Sequence, residues 1–487
     1  MSVEQQFQRR AQAVPKIGLG LSVDVYSPDL VEVISRFQRA GLRPAYLEIF
    51  RAPAEALRAV SRFAGALPLA YHGEGLWITQ PDFASQPFLD SELDRVVFEL
   101  KLLSSPWLNH ECATKQMAGY SFGTYLPPLY TADSAAQVAD NIAIVQERLD
   151  RGRRPGDEFG PLFLLEMPPL TYFMAGTISV PEYFRMVTEE APCGLVLDIG
   201  HLWTVFRYSA SRSSSLEQFV TRFLDEFPMD RVIEIHIAGL AAHDSELAAA
   251  PQHGHPEWID AHAAPIRPVC WAMLDQVLAH RSLRHLRGVA LEVDTKPIEL
   301  IVDEFAAAQQ RVGPLLDRML RDTPPPVAAG EALTDGDQPL AVKVDRRRLE
   351  EDYSGYARIV SGQALPNGAA WTAVLDDPSG LNRYTHAYLP HEILHWGGEL
   401  TDMFPVTCRS LHDRNIPLDL FVSWWFERSR PADRPYDFFL LKIDRFVEFV
   451  GDRAPALLDV ARREADCLRG GYQEANQGSR QLTESCR

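Results

Sequence analysis

The sequence has few cysteines and no long apolar run. Its six cysteines are spread over 487 residues, and none forms a Cys-x-x-Cys pair. Neither a disulfide scaffold nor a cysteine zinc cluster is therefore expected. No apolar run approaches the ~20 residues that a membrane-spanning helix needs. The first residues, MSVEQQFQRR, lack the apolar core of a signal peptide. We therefore expect a cytoplasmic protein without a membrane partner.

The chain also lacks an excess of positive charge. It has 48 Lys and Arg against 66 Asp and Glu, which gives a net charge of −18. A surface of this sign repels phosphate backbones, so sequence-independent binding of nucleic acid is not expected. No nucleic-acid partner is predicted.

Short apolar runs alternate with helical patterns over the first ~320 residues, a length that fits one large α/β domain. Runs of this kind are typical of strands that are buried on both faces of a parallel sheet. Eight strands are predicted, at residues 16–24, 46–50, 68–73, 107–112, 163–168, 194–201, 232–239 and 289–294.

Amphipathic helices are predicted between these strands. In residues 28–41, for example, Leu30, Val33, Ile34 and Phe37 share one helical face, and Ser27 is predicted to cap the helix. Eight β/α units indicate a TIM (β/α)8 barrel. An open doubly wound sheet is the alternative, but no Gly-x-Gly-x-x-Gly motif follows the first strand.

Composition divides the chain further. We predict a barrel domain over residues 1–320, a linker rich in Pro, Gly, Ala and Asp over 321–341, and a smaller, α-rich C-terminal domain over 342–469. Residues 470–487 are polar and predicted to be disordered. An aromatic helical stretch, 418–450, is interrupted at Pro431 and Pro435.

Metal-capable side chains stand at or near the ends of six predicted strands. In a TIM barrel these ends open onto one face, where active sites lie. Unpaired carboxylates gathered there would destabilise one another unless cations neutralise them. Ligands of the His and carboxylate type, without cysteine, suit iron, manganese or zinc. Because there are too many ligands for one ion, two or three metals are predicted, with the ligands His72, His110, Glu166, Asp198, His201, His236, Asp260, His262 and Glu292.

Other side chains in these segments have competing interpretations. Glu234 shares a strand face with His236, but a metal site need not use both. Asp294 could instead pair with Lys296. Cys112 is predicted to have a packing role. Three histidines in a loop, His243, His253 and His255, are predicted to be exposed to solvent.

In its motifs the sequence resembles the multinuclear non-haem iron-dependent oxidases, the family that includes the methanobactin-forming enzyme. The matching pieces are LAYHG, LNHECA, LLEMP, CGLVLDIGHL, RVIEIHIAG, IDAHAAP and LEVD, in the same order over residues 16–310. The resemblance implies a TIM barrel that holds two or three iron ions. It also implies O2-dependent oxidation of a residue, often cysteine, in a ribosomally made precursor peptide.

Carried over by position, the resemblance implies one iron held by His72, His110 and a bridging Glu166. A second iron would share Glu166 and add Asp198, His236 and Glu292, and a third would use His201, Asp260 and His262. We accordingly expect Glu166, His201 and Asp260 to take part in catalysis. The sequence departs from the family pattern at Asn109, Met167, His201, Leu240, Ala261 and Ala263, and most of these departures concern the third metal and the reaction.

Two features of the C-terminal domain suggest further roles. Family enzymes often need a separate protein that captures the leader part of the precursor, and the fused domain could replace that protein. Its aromatic residues Phe421, Trp424, Trp425 and Phe426 could line a groove, or they could form the core of the domain. The segment 391–395 matches the zinc-protease motif HExxH, although such short patterns also arise by chance.

Two other classes of function remain open on the residues alone. One is a hydrolytic or isomerising metal-dependent barrel, similar to endonucleases or sugar isomerases. The other is a peptide-binding scaffold without catalytic activity. The first would use zinc or manganese without O2, and the second would bind peptide without forming product.

Overall fold

The computed structural model describes residues 1–209, 215–242, 258–321, 344–364, 378–432 and 434–484. The predicted linker and the predicted solvent-exposed loop histidines lie outside the described residues, except for position 321. No helix in the described ranges is long and apolar enough to cross a bilayer.

Eight parallel strands close into a barrel. This confirms the TIM barrel. The barrel strands are β1 Gly18–Val23, β2 Leu47–Phe50, β3 Leu69–His72, β4 Trp107–Glu111, β7 Leu162–Glu166, β8 Gly194–Asp198, β9 Val232–Ile237 and β12 Gly288–Glu292. Around the barrel they stand in the order β1-β12-β9-β8-β7-β4-β3-β2. Two antiparallel pairs lie outside the barrel: β5 Thr114–Met117 with β6 Tyr120–Leu126, and β10 Leu240–Ala242 with β11 Trp258–Asp260.

Helices pack around the barrel and follow its strands. In chain order they are α1 Val3–Ala13, α2 Leu30–Ala40, α3 Ala54–Ala64, α4 Leu89–Leu103, α5 Ala132–Arg151, α6 Val180–Glu190, α7 Ile199–Tyr208, α8 Leu216–Glu226, α9 Pro268–Ala279 and α10 Ile298–Arg321. The C-terminal region is helical, as predicted, with α11 Arg346–Val360, α12 Pro378–Arg383, a π-helical turn Tyr384–Tyr388, α13 Leu389–His395, α14 Leu400–Met403, α15 Pro405–His412, α16 Asp419–Phe426, α17 Phe438–Arg453 and α18 Leu458–Glu484.

Helix α1 closes the amino-terminal end of the barrel. Its Phe7 and Ala11 are buried in a cluster with Trp107 of β4 and with Tyr46, the residue before β2. Arg287, just before β12, donates hydrogen bonds to the carbonyl oxygens of Ala11 and Val14. The side of the barrel opposite the strand C-termini is therefore sealed, and access to the interior is left to the other end.

A tight hairpin joins the barrel to the C-terminal helices. Strands β5 and β6 follow the end of β4 and are connected by Ala118 and Gly119, which both have positive φ (50° and 79°), the geometry of a type I′ turn. The Gly119 carbonyl accepts a 2.7 Å hydrogen bond from the Arg430 amide. The Trp425 indole N–H donates to the Ser121 carbonyl at 2.7 Å. One hydrophobic core runs through the barrel and the C-terminal helices.

The structure differs from the predictions at several element ends. Asp29, not Ser27, caps α2, because its carboxylate accepts from the amides of Val31 and Glu32. The predicted sixth strand ends at Asp198 rather than at His201, since the chain turns there into α7. Helix α18 runs to Glu484, through most of the segment predicted to be disordered. Its Tyr472 stacks on Phe439 at 5.4 Å, which holds that part of the helix on α17.

Candidate metal centre at the barrel mouth

The strand ends bring the predicted metal-capable residues together. His72, Glu166, Asp198 and Glu292 are the last residues of β3, β7, β8 and β12. His236 lies near the end of β9, so its ring points into the same space. In the parallel register, His236 stands opposite Asp198 on β8 and opposite Ala290 on β12. All five side chains are buried.

Local structure places the other three members. His201 lies in the first turn of α7, where its amide donates to Asp198 Oδ1 at 2.6 Å and its Nδ1 lies 2.6 Å from the Met167 carbonyl. Asp260 ends β11 and pairs with Leu240 across the β10–β11 hairpin. His262 follows two residues later. The β10–β11 pair therefore places a carboxylate and an imidazole over the barrel mouth.

Imidazoles and carboxylates alternate along a continuous chain of contacts. His72 Nε2 lies 3.1 Å from Glu166 Oε2, and the other oxygen of Glu166 lies 3.3 Å from His236 Nδ1. Glu292 likewise faces two rings, with Oε1 3.2 Å from His236 Nδ1 and Oε2 3.3 Å from His262 Nε2. Asp260 Oδ2 continues the chain, since it lies 3.2 Å from His262 Nε2 and 3.3 Å from His201 Nε2.

The electrostatics of this chain show how closely the charges are packed. Burial alone would raise the pKa of Glu166, but His236 and His72 hold it well below its ordinary value. Burial raises the pKa of Asp198 to about 7, helped by the neighbouring Glu292, Asp260 and Glu166 and opposed by His201. Burial would lower the pKa of His72, but Glu166 raises it to about 9. Without metal, protons on His72 and Asp198 offset the negative charge of the clustered carboxylates. Bound cations could take over this role.

The donor set fits metal ions. Buried polar atoms without a hydrogen-bond partner include Asp198 Oδ2, Asp260 Oδ1, Glu292 Oε2 and both ring nitrogens of His236. Leaving such atoms unpaired is costly, whereas nitrogen and oxygen donors of this kind bind iron, manganese or zinc. Ligand atoms of Glu166, His236 and Glu292 lie close enough to one another to hold one ion.

One predicted ligand lies beside this chain rather than within it. His110 Nδ1 is 2.9 Å from the Glu111 carbonyl, and its Nε2 accepts from the Leu76 amide at 3.1 Å. Among the described residues, no carboxylate lies within ion-pair distance of the His110 ring. Both ring nitrogens are thus occupied by backbone atoms, and ligation by His110 would require its contact with Leu76 to open.

Several side chains at the site were not singled out from the sequence. Glu48, in the middle of β2, lies 3.0 Å from His236, and Glu111 is buried with one unpartnered oxygen. A lone acidic residue within an apolar strand was the available signal for Glu48. Asn109 donates to Glu166 Oε2 at 2.8 Å, so this departure from the family pattern orients the proposed bridge.

The residues with open alternatives have defined partners. Asp294 contacts His262 Nδ1 at 3.0 Å, while Lys296 pairs with Glu304 at 2.5 Å, so Asp294 does not pair with Lys296. Cys112 is fully buried in the core, which agrees with a packing role. The aromatic residues proposed to line a groove are buried as well, and they form part of the core instead.

The HExxH segment forms a short helix outside the barrel. The rings of His391 and His395 are 4.2 Å apart, and His395 contacts Glu399. Within the described residues, the groups of three or more side chains able to hold a metal lie in the barrel, and the HExxH residues do not form one. Glu392 is largely buried, and burial raises its pKa to about 7 against the opposing charges of Lys442 and Lys115.

We expect Glu392→Gln to leave activity unchanged and to alter the pH dependence of stability. A carboxyl with a raised folded-state pKa binds more protons folded than unfolded, so stability falls as pH rises from about 4.5 to about 7. The wild type should lose up to ~3 kcal/mol over this window, and the variant should not. Urea unfolding at pH 5 and pH 8 measures the difference. A variant that lost activity while still folded would support a catalytic role for this motif.

Sequence comparisons identify a protein family and relatives that match the barrel region. The family model described as RiPP precursor modification enzyme MbnB/TglH/ChrH matches residues 18–312. A UPF0276 protein from Rhizorhabdus wittichii is 27% identical over 286 residues, covering 58% of this chain and 85% of that protein. A UPF0276 protein from Caulobacter vibrioides is 23% identical over 287 residues, covering 58% and 86% of the two chains.

Among solved structures, endonuclease IV from Thermus thermophilus matches at 16% identity with a TM-score of 0.36, over 62% of this chain and 100% of that chain. D-psicose 3-epimerase from Clostridium cellulolyticum matches at 11% identity with a TM-score of 0.34, over 62% and 95%. The family match covers the strands that carry the clustered side chains. The chain therefore belongs to the RiPP precursor modification enzyme family MbnB/TglH/ChrH.

Proposed function

We propose that the protein is an O2-dependent iron oxidase that uses two or three iron ions to modify a residue, most simply cysteine, of a ribosomally synthesised precursor peptide. The observation that carries the proposal is that Glu166 and Glu292 each direct their two oxygens to two different imidazoles. Carboxylates placed in this way can bridge neighbouring cations. Family membership supports the peptide substrate and the enzymatic role.

The side chains present suggest how the ions would be held. His72 and Glu166 would hold one ion, with His110 if its contact with Leu76 opens. Glu166, Asp198, His236 and Glu292 would hold a second, and His201, Asp260 and His262 a third. Iron bound there would supply the redox chemistry for a reaction with O2, and a metal that coordinates a substrate thiol deprotonates it.

The protein's own residues would orient these ligands and limit access of water. Asn109 holds one oxygen of Glu166, and the Met167 carbonyl holds His201 Nδ1, which leaves its Nε2 toward Asp260. Exposure increases toward the hairpin, where 25% of the His262 side chain is accessible against 0% for His236. We infer that the substrate approaches from the side of His262 and Asp260, whereas the far end of the cluster stays closed.

The C-terminal region is proposed to contribute contacts for the precursor peptide. It packs on the β5–β6 hairpin, which follows the mouth end of β4, through Trp425 and Arg430. Because Trp425 and its aromatic neighbours are buried, such contacts would come from other surfaces of this region.

Metal analysis and turnover measurements test the function. Protein purified without oxygen should contain two or three iron ions, with Mössbauer or EPR signals of coupled ions, and should convert its precursor peptide only when O2 is supplied. Full-rate turnover without O2 would refute the oxidase proposal. Activity with zinc or manganese in place of iron would favour a hydrolytic or isomerising barrel instead.

A further inference from the structure

His236 has carboxylates on both edges of its ring. Its Nδ1 faces Glu166 and Glu292, toward the barrel mouth. Its Nε2 faces Glu48 Oε2 at 3.0 Å and Glu234 Oε2 at 3.5 Å, toward the barrel floor. Ligand atoms on each side lie close enough together to hold a cation, so the sequence and the distances leave two possible sites that share one histidine.

The surroundings of the two sides differ. On the floor side, the Tyr46 hydroxyl donates to Glu234, and the Trp107 indole N–H donates to Glu48 at 3.3 Å. Glu48, Glu234 and Tyr46 are completely buried. The other oxygens of these floor carboxylates, Glu48 Oε2 and Glu234 Oε2, are buried without a hydrogen-bond partner, as are Asp198 Oδ2, Asp260 Oδ1 and Glu292 Oε2 on the mouth side. The mouth side differs in having more carboxylates around its imidazoles and in its exposure, since 25% of the His262 side chain is accessible. We therefore place the cation at the mouth, whereas the enclosed floor carboxylates each have one neutral donor from the protein.

The floor is also rigid. A Cβ atom at Gly20 would lie 2.4 Å from the Tyr46 ring, and one at Gly288 would lie 2.7 Å from its hydroxyl oxygen. Both distances are too short for any side chain larger than glycine, so the backbone of β1 and β12 encloses Tyr46. The Tyr46 and Trp107 rings contact each other edge to face at 6.0 Å. Glu48 and Glu234 are thus held in place from below.

Without a metal, neither ring nitrogen of His236 has a hydrogen-bond partner. We propose that Glu48 and Glu234 are positioning residues: when a cation binds Nδ1, they accept the proton on Nε2 and so keep Nδ1 directed to the cation at Glu166 and Glu292. A metal-bound imidazole carries its proton on the other nitrogen, and a carboxylate that accepts this proton orients the ring and strengthens it as a ligand. The inference rests on the proposed function only in requiring a cation at the mouth.

The test is titration of metal-free, full-length protein with Co²⁺, with affinity measured by chelator competition and stoichiometry by metal analysis. Glu48→Gln keeps an acceptor without charge and should weaken binding about 10-fold, whereas Glu48→Met, which removes the acceptor, should weaken it about 100-fold. The number of ions bound at saturation should not change. The Co²⁺ visible bands should shift in both variants, which a purely structural role would not cause.

Glu99→Gln is the matched control, because Glu99, like Glu48, is a buried carboxylate that accepts from a neutral aromatic side chain, here the Tyr71 hydroxyl, but it contacts no histidine of the cluster. Loss of one whole ion in the Glu48 variants would show that the floor is a metal site and overturn the proposal. An affinity equal to that of the Glu99 variant would also overturn it. If the Glu48 variants do not fold, Tyr46→Phe, which removes one hydrogen bond, should still weaken Co²⁺ binding by about 2- to 10-fold.

These outcomes are separable from failure of the oxidase proposal. An enzyme that uses another metal or does not need O2 would still bind Co²⁺, so the ratio of affinities between the Glu48 and Glu99 variants would be unaffected.

Discussion

We expect Glu166→Gln to bind at least one iron ion fewer per chain and to lose at least about 100-fold in activity. Glu166 is the carboxylate whose two oxygens face His72 and His236, and Asn109 also donates to it. An amide of the same shape presents one oxygen, so it cannot bridge two cations. A metal ion contributes several kcal/mol to transition-state stabilisation, and each tenfold in rate corresponds to ~1.4 kcal/mol. Metal analysis and turnover of the precursor peptide measure the two effects.

Asp150→Asn is the control for this variant. Asp150 pairs with Arg10 through two hydrogen bonds, of 2.9 and 2.6 Å, at the closed end of the barrel. The Asp150→Asn variant should lose stability, but its metal content and the activity of its folded fraction should not change. Normal iron content and activity in Glu166→Gln would contradict the bridging role.

We expect Trp425→Ala to lose about 3–5 kcal/mol of stability across the whole protein, as large-to-small substitutions in cores do. Trp425 is buried, contacts Phe421 and Phe438 at 5.7 and 5.9 Å, and donates to the Ser121 carbonyl of the hairpin. Because the hydrophobic core is continuous between the barrel and the C-terminal helices, we predict a single unfolding transition. Urea unfolding followed by both tryptophan fluorescence and circular dichroism measures it.

Trp396→Ala is the matched control, since 54% of Trp396 is exposed. Its stability should change by less than ~0.5 kcal/mol, as is usual for surface positions. Two separate transitions, with only the first shifted in Trp425→Ala, would show instead that the barrel and the C-terminal region unfold as independent domains.

The barrel and most of its strands could be predicted because the signals are local. Continuous apolar runs bounded by helical patterns identify buried parallel strands, and each predicted barrel strand overlaps an observed one. Elements without a clear apolar pattern were missed: α1 is polar in sequence but packs Phe7 and Ala11 beneath the barrel. The β5–β6 hairpin lies in a stretch of mixed polarity, where pairing across a two-residue turn decides the structure.

At the site, too, some positions could be predicted from local sequence signals and others could not. Residues at strand ends, such as His72, Glu166 and Glu292, could be predicted to meet because parallel strands end on one face of a barrel. His201 was predicted to lie on a strand, but it lies in the first turn of α7, where its amide donates a hydrogen bond to Asp198 Oδ1. Glu48 was overlooked because an acidic residue inside a strand gives no sign of whether it faces the barrel interior or the surrounding helices.

The sequence by itself determined the fold class, the group of imidazoles and carboxylates at the barrel mouth, and the family. The first two follow from periodicity and from the position of a residue along a strand, which are properties of the chain alone, and the family follows from the resemblance of the motifs around the ligands. The tertiary structure decided which oxygen of Glu166 faces which histidine, that His110 gives its nitrogens to backbone atoms, and that His236 has carboxylates on both edges. These depend on strand register, barrel closure and side-chain rotamers, which are fixed by contacts between residues far apart in the chain.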